Sequence, residues 1–316
     1  MRPDHIRRAL LKSKLPEQLN FLSNRNARQK KTSASLKGKT CIISGATSGV
    51  GLSALKYLVG AGADIAMLAR DLEKAEKVRD LLDKQNNVVN IDILYSDFSK
   101  IETIRKVSET ILKNYHRIDL LINSAGIFCT SRTLNSEGTE MVFCINHLAP
   151  FLLVRLLMKR LKESAPSRII HVNSQGHRFN GLDINDLNWE KRLFNGYKSY
   201  GASKTAQLLT TWELADILKG SGVTINAMHP GAVKTNIGLN NGPLYRWYSR
   251  HIIWHFLDDP RISGEAIYYL AASPEMENIS GRYFNLTVDE KPAIHALDRK
   301  MAKKIWKISE NLINMQ

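Results

Sequence analysis

Residues 40–51 read TCIISGATSGVG, and they decide how the rest of the chain is understood. The first five, TCIIS, form a short apolar run of strand length. The chain then enters a turn with glycines at Gly45, Gly49 and Gly51, where a backbone free of Cβ atoms can bend tightly and approach a ligand closely. A helix is expected to open near residues 51–58. Its free N–H groups and positive dipole end would face whatever anion the turn holds. Gly45, Thr47, Ser48, Gly49, Val50 and Gly51 are therefore candidates for cradling a pyrophosphate. The spacing G-x-x-x-G-x-G departs from the commoner G-x-G-x-x-G, and a glycine-rich turn alone can be merely structural. Its position after the first strand of a βαβ unit favours the ligand-binding reading.

Outward from this turn, short apolar runs alternate with longer amphipathic stretches. Strands are expected at 64–68, 88–94, 118–122, 168–172 and 223–227, and the longest helices at 138–161 and 200–218. Strands separated by helices imply right-handed crossovers and a parallel sheet covered on both faces. The expected fold class is α/β, a doubly wound parallel sheet in one domain over 37–316, with its ligand at the carboxyl ends of the strands.

The composition allows this. Of 316 residues, 43% are apolar and 24% charged, ordinary values for a globular chain that argue against disorder. Cys41, Cys129 and Cys144 are too few for a disulfide framework and lack zinc-ligand spacing to histidine, so a reduced compartment and no metal are expected. The apolar stretches read as strand-length or broken by charges, which speaks against a spanning helix. The 45 Lys+Arg against 30 Asp+Glu give a formal charge of +15, which raises nucleic acid, anionic membrane or anionic ligand as partners.

The second strand ends MLAR, placing Arg70 where an acidic residue would otherwise bind the ribose hydroxyls of NAD. A permanently charged guanidinium suits a 2′-phosphate, so NADP(H) is expected in preference to NAD(H). A surface arginine beside Asp71 is the plainer alternative. The strongest chemical signal is Tyr200-Gly201-Ala202-Ser203-Lys204, because tyrosine and lysine at i, i+4 share one helical face. An ammonium near the phenol is expected to lower its pKa and make it a proton donor or acceptor near neutral pH. Tyr197 is a decoy, since Gly201 stands four residues on. Ser174 follows the apolar run RIIHV, 26 residues before Tyr200, where it could donate to the same substrate oxygen.

With these residues in this order, the chain resembles the short-chain dehydrogenase/reductase family over about residues 38–310. The markers are SGATSGVG at 44–51, Asp97, NSAG at 123–126, Asn146, Ser174, YGASK at 200–204 and HPGAVKT at 229–235. The resemblance implies a Rossmann-type fold with Tyr200 as general acid/base and Ser174 polarising the carbonyl. Lys204 would hold the nicotinamide ribose, and Asn146 would hold a water linking Lys204 to solvent. It also implies that Asp97, with Phe98 beside it, meets the adenine and that Asn123, Ala125 and Gly126 support the cofactor. Pro230, Gly231, Val233 and Thr235 would contact the nicotinamide carboxamide and diphosphate. Ser44 and Ser124 replace the family's usual threonine and second asparagine, both small polar exchanges. Longer stretches, such as LARDLEKAEKV and CINHLAPFLL, resemble the retinol dehydrogenase-like branch. That likeness implies NADPH-dependent interconversion of an alcohol with an aldehyde or ketone on a largely apolar molecule. A sensor or scaffold that binds NADP(H) without chemistry is the alternative.

Residues 1–36 stand outside this resemblance. They carry nine Lys/Arg against Asp4 and Glu17, a net +7, and read as a basic arm, solvated or packed on the domain, ahead of a targeting segment. No recognised nucleic-acid motif accompanies the charge, so no nucleic-acid partner is expected. Near 239–260, Tyr245, Trp247, Tyr248, Trp254 and Phe256 mix with Arg246, Arg250, His251 and His255. This segment reads as a substrate lid, with peripheral membrane contact and core packing held as comparable readings. Residues 296–313 read as an amphipathic helix covering the domain. The expected setting is cytoplasmic, with membrane association and a homodimer left open.

Overall fold

The computed structural model describes residues 24, 27–83, 89–179, 181–234, 237–238, 241–242 and 257–314. Its centre is an eight-stranded sheet of order β3-β2-β1-β4-β5-β6-β7-β8. The strands are β1 (Thr40–Ser44), β2 (Asp64–Ala69), β3 (Ile91–Tyr95), β4 (Leu120–Asn123), β5 (Ser167–Val172), β6 (Val223–His229), β7 (Tyr283–Asn285) and β8 (Val288–Asp289). Every pairing is parallel except β7 with β8. The order reverses between β1 and β4, and a doubly wound sheet opens a crevice at that switch point, beyond the carboxyl ends of the strands.

Alternation along the strands assigns the two faces. Cys41 and Ile43 of β1, Ile65 and Met67 of β2, and Ile122 of β4 point to one core. That core is closed by α1 (Gly49–Gly60), α2 (Leu72–Asp83) and α6 (Arg261–Ala272). Ile42, Ala66, Leu68 and Leu121 point to the other, packed under α3 (Ile101–Asn114), α4 (Met141–Glu163) and α5 (Gly196–Ile217). With apolar layers on both sides, the central strands need apolar residues at nearly every position, which is why β1 and β4 read as continuous runs rather than alternating ones.

α4 is a correction to the expectation that no apolar stretch approaches membrane-spanning length. By length and hydropathy it passes that test, with a mean hydropathy of 1.8 over its most apolar window, yet 78% of that window is buried inside the protein. It is the core helix of the second layer. The Glu140 carboxylate starts it by accepting from the Val142 and Phe143 N–H groups, and a π-helical turn at Cys144–Leu148 follows. The helix begins at Met141 rather than 138, and α5 begins at Gly196 rather than 200, capped by the Asn195 side chain on the Lys198 N–H. β7 and β8, three and two residues long, were not among the expected strands.

α7 (Arg299–Leu312) buries Ala302 and Ile305 against the second layer. Arg155 of α4 pairs with Glu310 at 2.7 Å, and Trp306 stands edge-on to Phe151 at 4.9 Å. Residues 27–36 run across the opposite layer. Lys31 pairs with Glu265 of α6, Lys30 with Glu275, and the Tyr268 hydroxyl donates to the Ala34 carbonyl.

Candidate active site

At the switch point the carboxyl ends of β1, β2, β4, β5 and β6 surround a cleft of about 570 Å³, within the few hundred to a thousand cubic ångströms of typical cofactor and ligand pockets. One wall is the glycine turn: Gly45, Thr47, Ser48, Gly49, Val50 and Gly51 all line it. Gly45 has a φ of +70°, and a Cβ there would meet the Ala125 backbone at 2.7 Å. A Cβ on Gly51 would lie 2.2 Å from the Gly45 carbonyl oxygen. No other residue fits either position without moving main chain. The Ser44 hydroxyl fastens the turn to β4 by accepting from the Ser124 and Ala125 N–H groups at 3.2 Å each. Ser48 caps α1 in extended conformation without a side-chain hydrogen bond, so the first turn of the helix has no internal side-chain acceptor for its N–H groups.

Arg70 follows β2 at the cleft edge and is exposed. Lys74, one turn into α2, lines the same edge, and the Asp71 side chain between them accepts from the Lys74 N–H. Among the described residues, no carboxylate forms an ion pair with Arg70 or Lys74, which leaves two cations facing the cleft. Asp97 and Phe98 continue the wall, with one Asp97 oxygen accepting from the Ser99 N–H and hydroxyl. Ala125 and Gly126 form the wall beyond β4, while Pro230, Gly231 and Val233 form that beyond β6. Val233 pairs with Asp258 in a short parallel bridge, and the Ser263 hydroxyl donates to the Pro230 carbonyl. Thr235 and most of the expected lid lie outside the described residues.

Ser174, Tyr200 and Lys204 line the same cleft. Ser174 sits two residues beyond β5; its hydroxyl accepts from the Gly176 N–H at 3.1 Å, and Gly176 also packs against the Tyr200 ring, so the two side chains are neighbours. Lys204 is buried and donates to the Val172 carbonyl at 2.9 Å, with Nζ 5.8 Å from the centre of the Tyr200 ring. The expectation that Lys204 lowers the phenol pKa is not met in this arrangement. Burial pushes Tyr200 above its usual value, opposed only by the Ser174 side chain, and burial pushes Lys204 down to about 7. The ammonium points at the Val172 carbonyl rather than the phenol oxygen, and desolvation penalises both charged forms.

Asn146 and Asn123 stand behind the cleft rather than on its surface. Asn146 lies in the π-helical turn, where its amide donates to the Ile127 carbonyl and the Ser203 hydroxyl and accepts from the Ile127 N–H. A Cβ on Gly126 would come within 3.3 Å of the Asn146 oxygen and 3.8 Å of Lys204 Nζ, so the three are neighbours. Asn123, at the end of β4, is buried with both amide atoms unpartnered. Sequence reasoning passed over Lys74 and Ser96 and named Ser124 and His229 only as parts of family motifs; all four line the cleft. Only Lys74 carried a usable signal, a second cation one turn after Arg70.

The residues fit a nicotinamide dinucleotide. A close-approach glycine turn, a helix end with free donors, two cations at one rim, and buried Ser96 and Ser124 hydroxyls without partners together match an elongated polyanionic ligand with sugar hydroxyls. Fold and site therefore define a dinucleotide-binding α/β protein with a serine–tyrosine–lysine centre. The family model described as short chain dehydrogenase matches residues 39–243, and the chain belongs to that family. It is 35% identical over 287 residues to human retinol dehydrogenase 13, covering 90% of this chain and 87% of that one. To human retinol dehydrogenase 14 it is 36% identical over 299 residues, covering 89% and 88%. An uncharacterised Mycobacterium paratuberculosis protein of known structure superposes with a TM-score of 0.73 at 26% identity, covering 89% of this chain and 95% of the other. The chain is thus a retinol dehydrogenase-like oxidoreductase acting between alcohols and carbonyls.

Proposed function

We propose that the protein is an NADP(H)-dependent oxidoreductase that interconverts an aldehyde or ketone with an alcohol on a largely apolar molecule. The observation that carries this reading is that Ser174, Tyr200 and Lys204 line the same cleft as the glycine turn. A nicotinamide cofactor held along that cleft supplies or accepts the hydride.

The roles then follow from position. Ser174 donates a hydrogen bond to the substrate oxygen, and Tyr200, kept neutral by burial, donates the proton to that oxygen during reduction. Lys204, 5.8 Å from the centre of the Tyr200 ring and held on the Val172 carbonyl, is assigned to hold the ribose of the bound cofactor. Asn146, assigned to the relay between Lys204 and solvent, holds the main chain at Ile127 beside them. Arg70, with Lys74, is the reason to favour NADP(H), since two cations at the rim without an ion-pair partner among the described residues suit a 2′-phosphate. The apolar substrate class draws support from relatives named for retinol, and from Ile127, Ile237 and Leu257 along the cleft.

The reading is tested by Tyr200→Phe. Turnover of NADPH with a long-chain aldehyde should fall by roughly a thousandfold or more, since a proton donor in the transition state is lost. NADPH affinity, measured by fluorescence, should stay within about twofold. Turnover like that of the native protein would overturn the role given to Tyr200.

A further inference from the structure

The turn that carries Ser174 is held from behind by charged groups that do not line the cleft. Gln175–Arg178 form a single 3-10 turn with Ser174 as its cap. Arg178 ends that turn and is buried, its side chain 1% exposed, and it faces Glu290, whose side chain is 5% exposed. Nη2 of Arg178 donates to Glu290 Oε1 at 2.6 Å and to the Lys291 carbonyl at 2.7 Å, while Nε donates to Gln175 Oε1. Gln175 in turn donates to the same Glu290 oxygen at 2.7 Å. The second Glu290 oxygen accepts from Asn285 of β7 at 3.1 Å and from Asn24 of the N-terminal segment at 2.9 Å. One carboxylate therefore gathers the catalytic turn, the sheet edge and the N-terminal strap.

Resting on the reading of Ser174 as the group that polarises the carbonyl, we propose that Glu290 is a positioning residue: paired with Arg178, it fixes the turn that carries Ser174 and ties that turn to the N-terminal strap through Asn24.

The physical case is one of completeness. A buried ion pair is stable only when its remaining lone pairs and protons are matched, and here both carboxylate oxygens accept two hydrogen bonds each. Removing the Glu290 charge leaves Arg178 buried beside a neutral amide, and the turn must shift to rehydrate it. The turn has little slack of its own. His177 bonds the Ser174 carbonyl through Nδ1 at 2.7 Å and accepts from the Ala293 N–H, three residues past Glu290. A shift of the segment after β8 therefore reaches Ser174 through two routes, the Glu290–Arg178 pair and the His177 bridge. Reaction rates are sensitive to displacements of an ångström or less in a group that orients the substrate.

The test is a double-mutant cycle between Glu290→Gln and Ser174→Ala in the full chain, with NADPH saturating and a long-chain aldehyde as the probe. In the native background Glu290→Gln should lower kcat by about 10- to 100-fold while KM changes less than about threefold. On the Ser174→Ala background the same substitution should change kcat by less than about twofold, because the hydroxyl it positions is already gone. Equal losses on both backgrounds would overturn the proposal. A Ser174→Ala protein with native kcat would sink the underlying reading of Ser174, and that failure shows in the single variant, before Glu290 is touched. If Glu290→Gln does not fold, Asn24→Ala carries the test, since it removes one hydrogen bond and buries no charge. It should lower kcat about two- to fivefold on the native background alone; an unchanged kcat would overturn the proposal.

Discussion

Tyr200 and Lys204 occupy adjacent turns of one helix, and burial acts on them in opposite senses. The phenol is held neutral through the physiological range, whereas Lys204 loses its proton near pH 7. The direction of the pH effect follows. Below about pH 7 Lys204 carries the charge with which it would hold the cofactor beside a neutral, proton-donating Tyr200, so kcat/KM for reduction should be highest there and decline as pH rises through that value. Oxidation needs the Tyr200 phenolate to take the alcohol proton, and burial holds that phenol above its usual value, so kcat/KM for oxidation should rise only at alkaline pH. Measuring both profiles from pH 5.5 to 10 checks this. Lys204→Met should remove the inflection near 7 from the reduction profile; a native reduction profile that rises through pH 7 would contradict the assignment.

The turn between β2 and α2 is where cofactor choice is argued. Arg70 and Lys74 face the cleft while Asp71 is occupied capping the helix. Arg70→Ala should weaken NADPH about tenfold or more and NADH less than about twofold, as titration of each cofactor would reveal. Equal losses would remove the basis for preferring NADP(H). Local elements of this kind were legible in the sequence, because a glycine turn after a strand, an arginine at a strand end and a tyrosine–lysine pair each complete their pattern within a few residues. β7 and β8 were not, since strands of three and two residues carry too few positions for a period to register. The same holds for the Arg178–Glu290 pair, whose members stand 112 residues apart and meet only because the chain returns to the sheet edge after α6. The direction of the Tyr200 shift was misread because spacing on a helix gives proximity but not burial, nor where the lysine donates.

Across the whole molecule, seven parallel strands point their carboxyl ends the same way, and the chemistry collects at that rim although its residues span Gly45 to Val233. The basic charge divides accordingly. Arg70 and Lys74 serve the rim, and Lys30 and Lys31 of the N-terminal segment form ion pairs across α6 and the turn after it. The central claim is that this rim moves a hydride between NADP(H) and a carbonyl carbon. The most direct measurement uses NADPH carrying deuterium at both C4 positions of the nicotinamide ring with retinal and a long-chain aldehyde as acceptors, and reads the alcohol product by mass spectrometry. One deuterium should appear at the carbinol carbon, and Tyr200→Phe should abolish the product. Tight NADPH binding with no deuterium transfer to either acceptor would contradict the account.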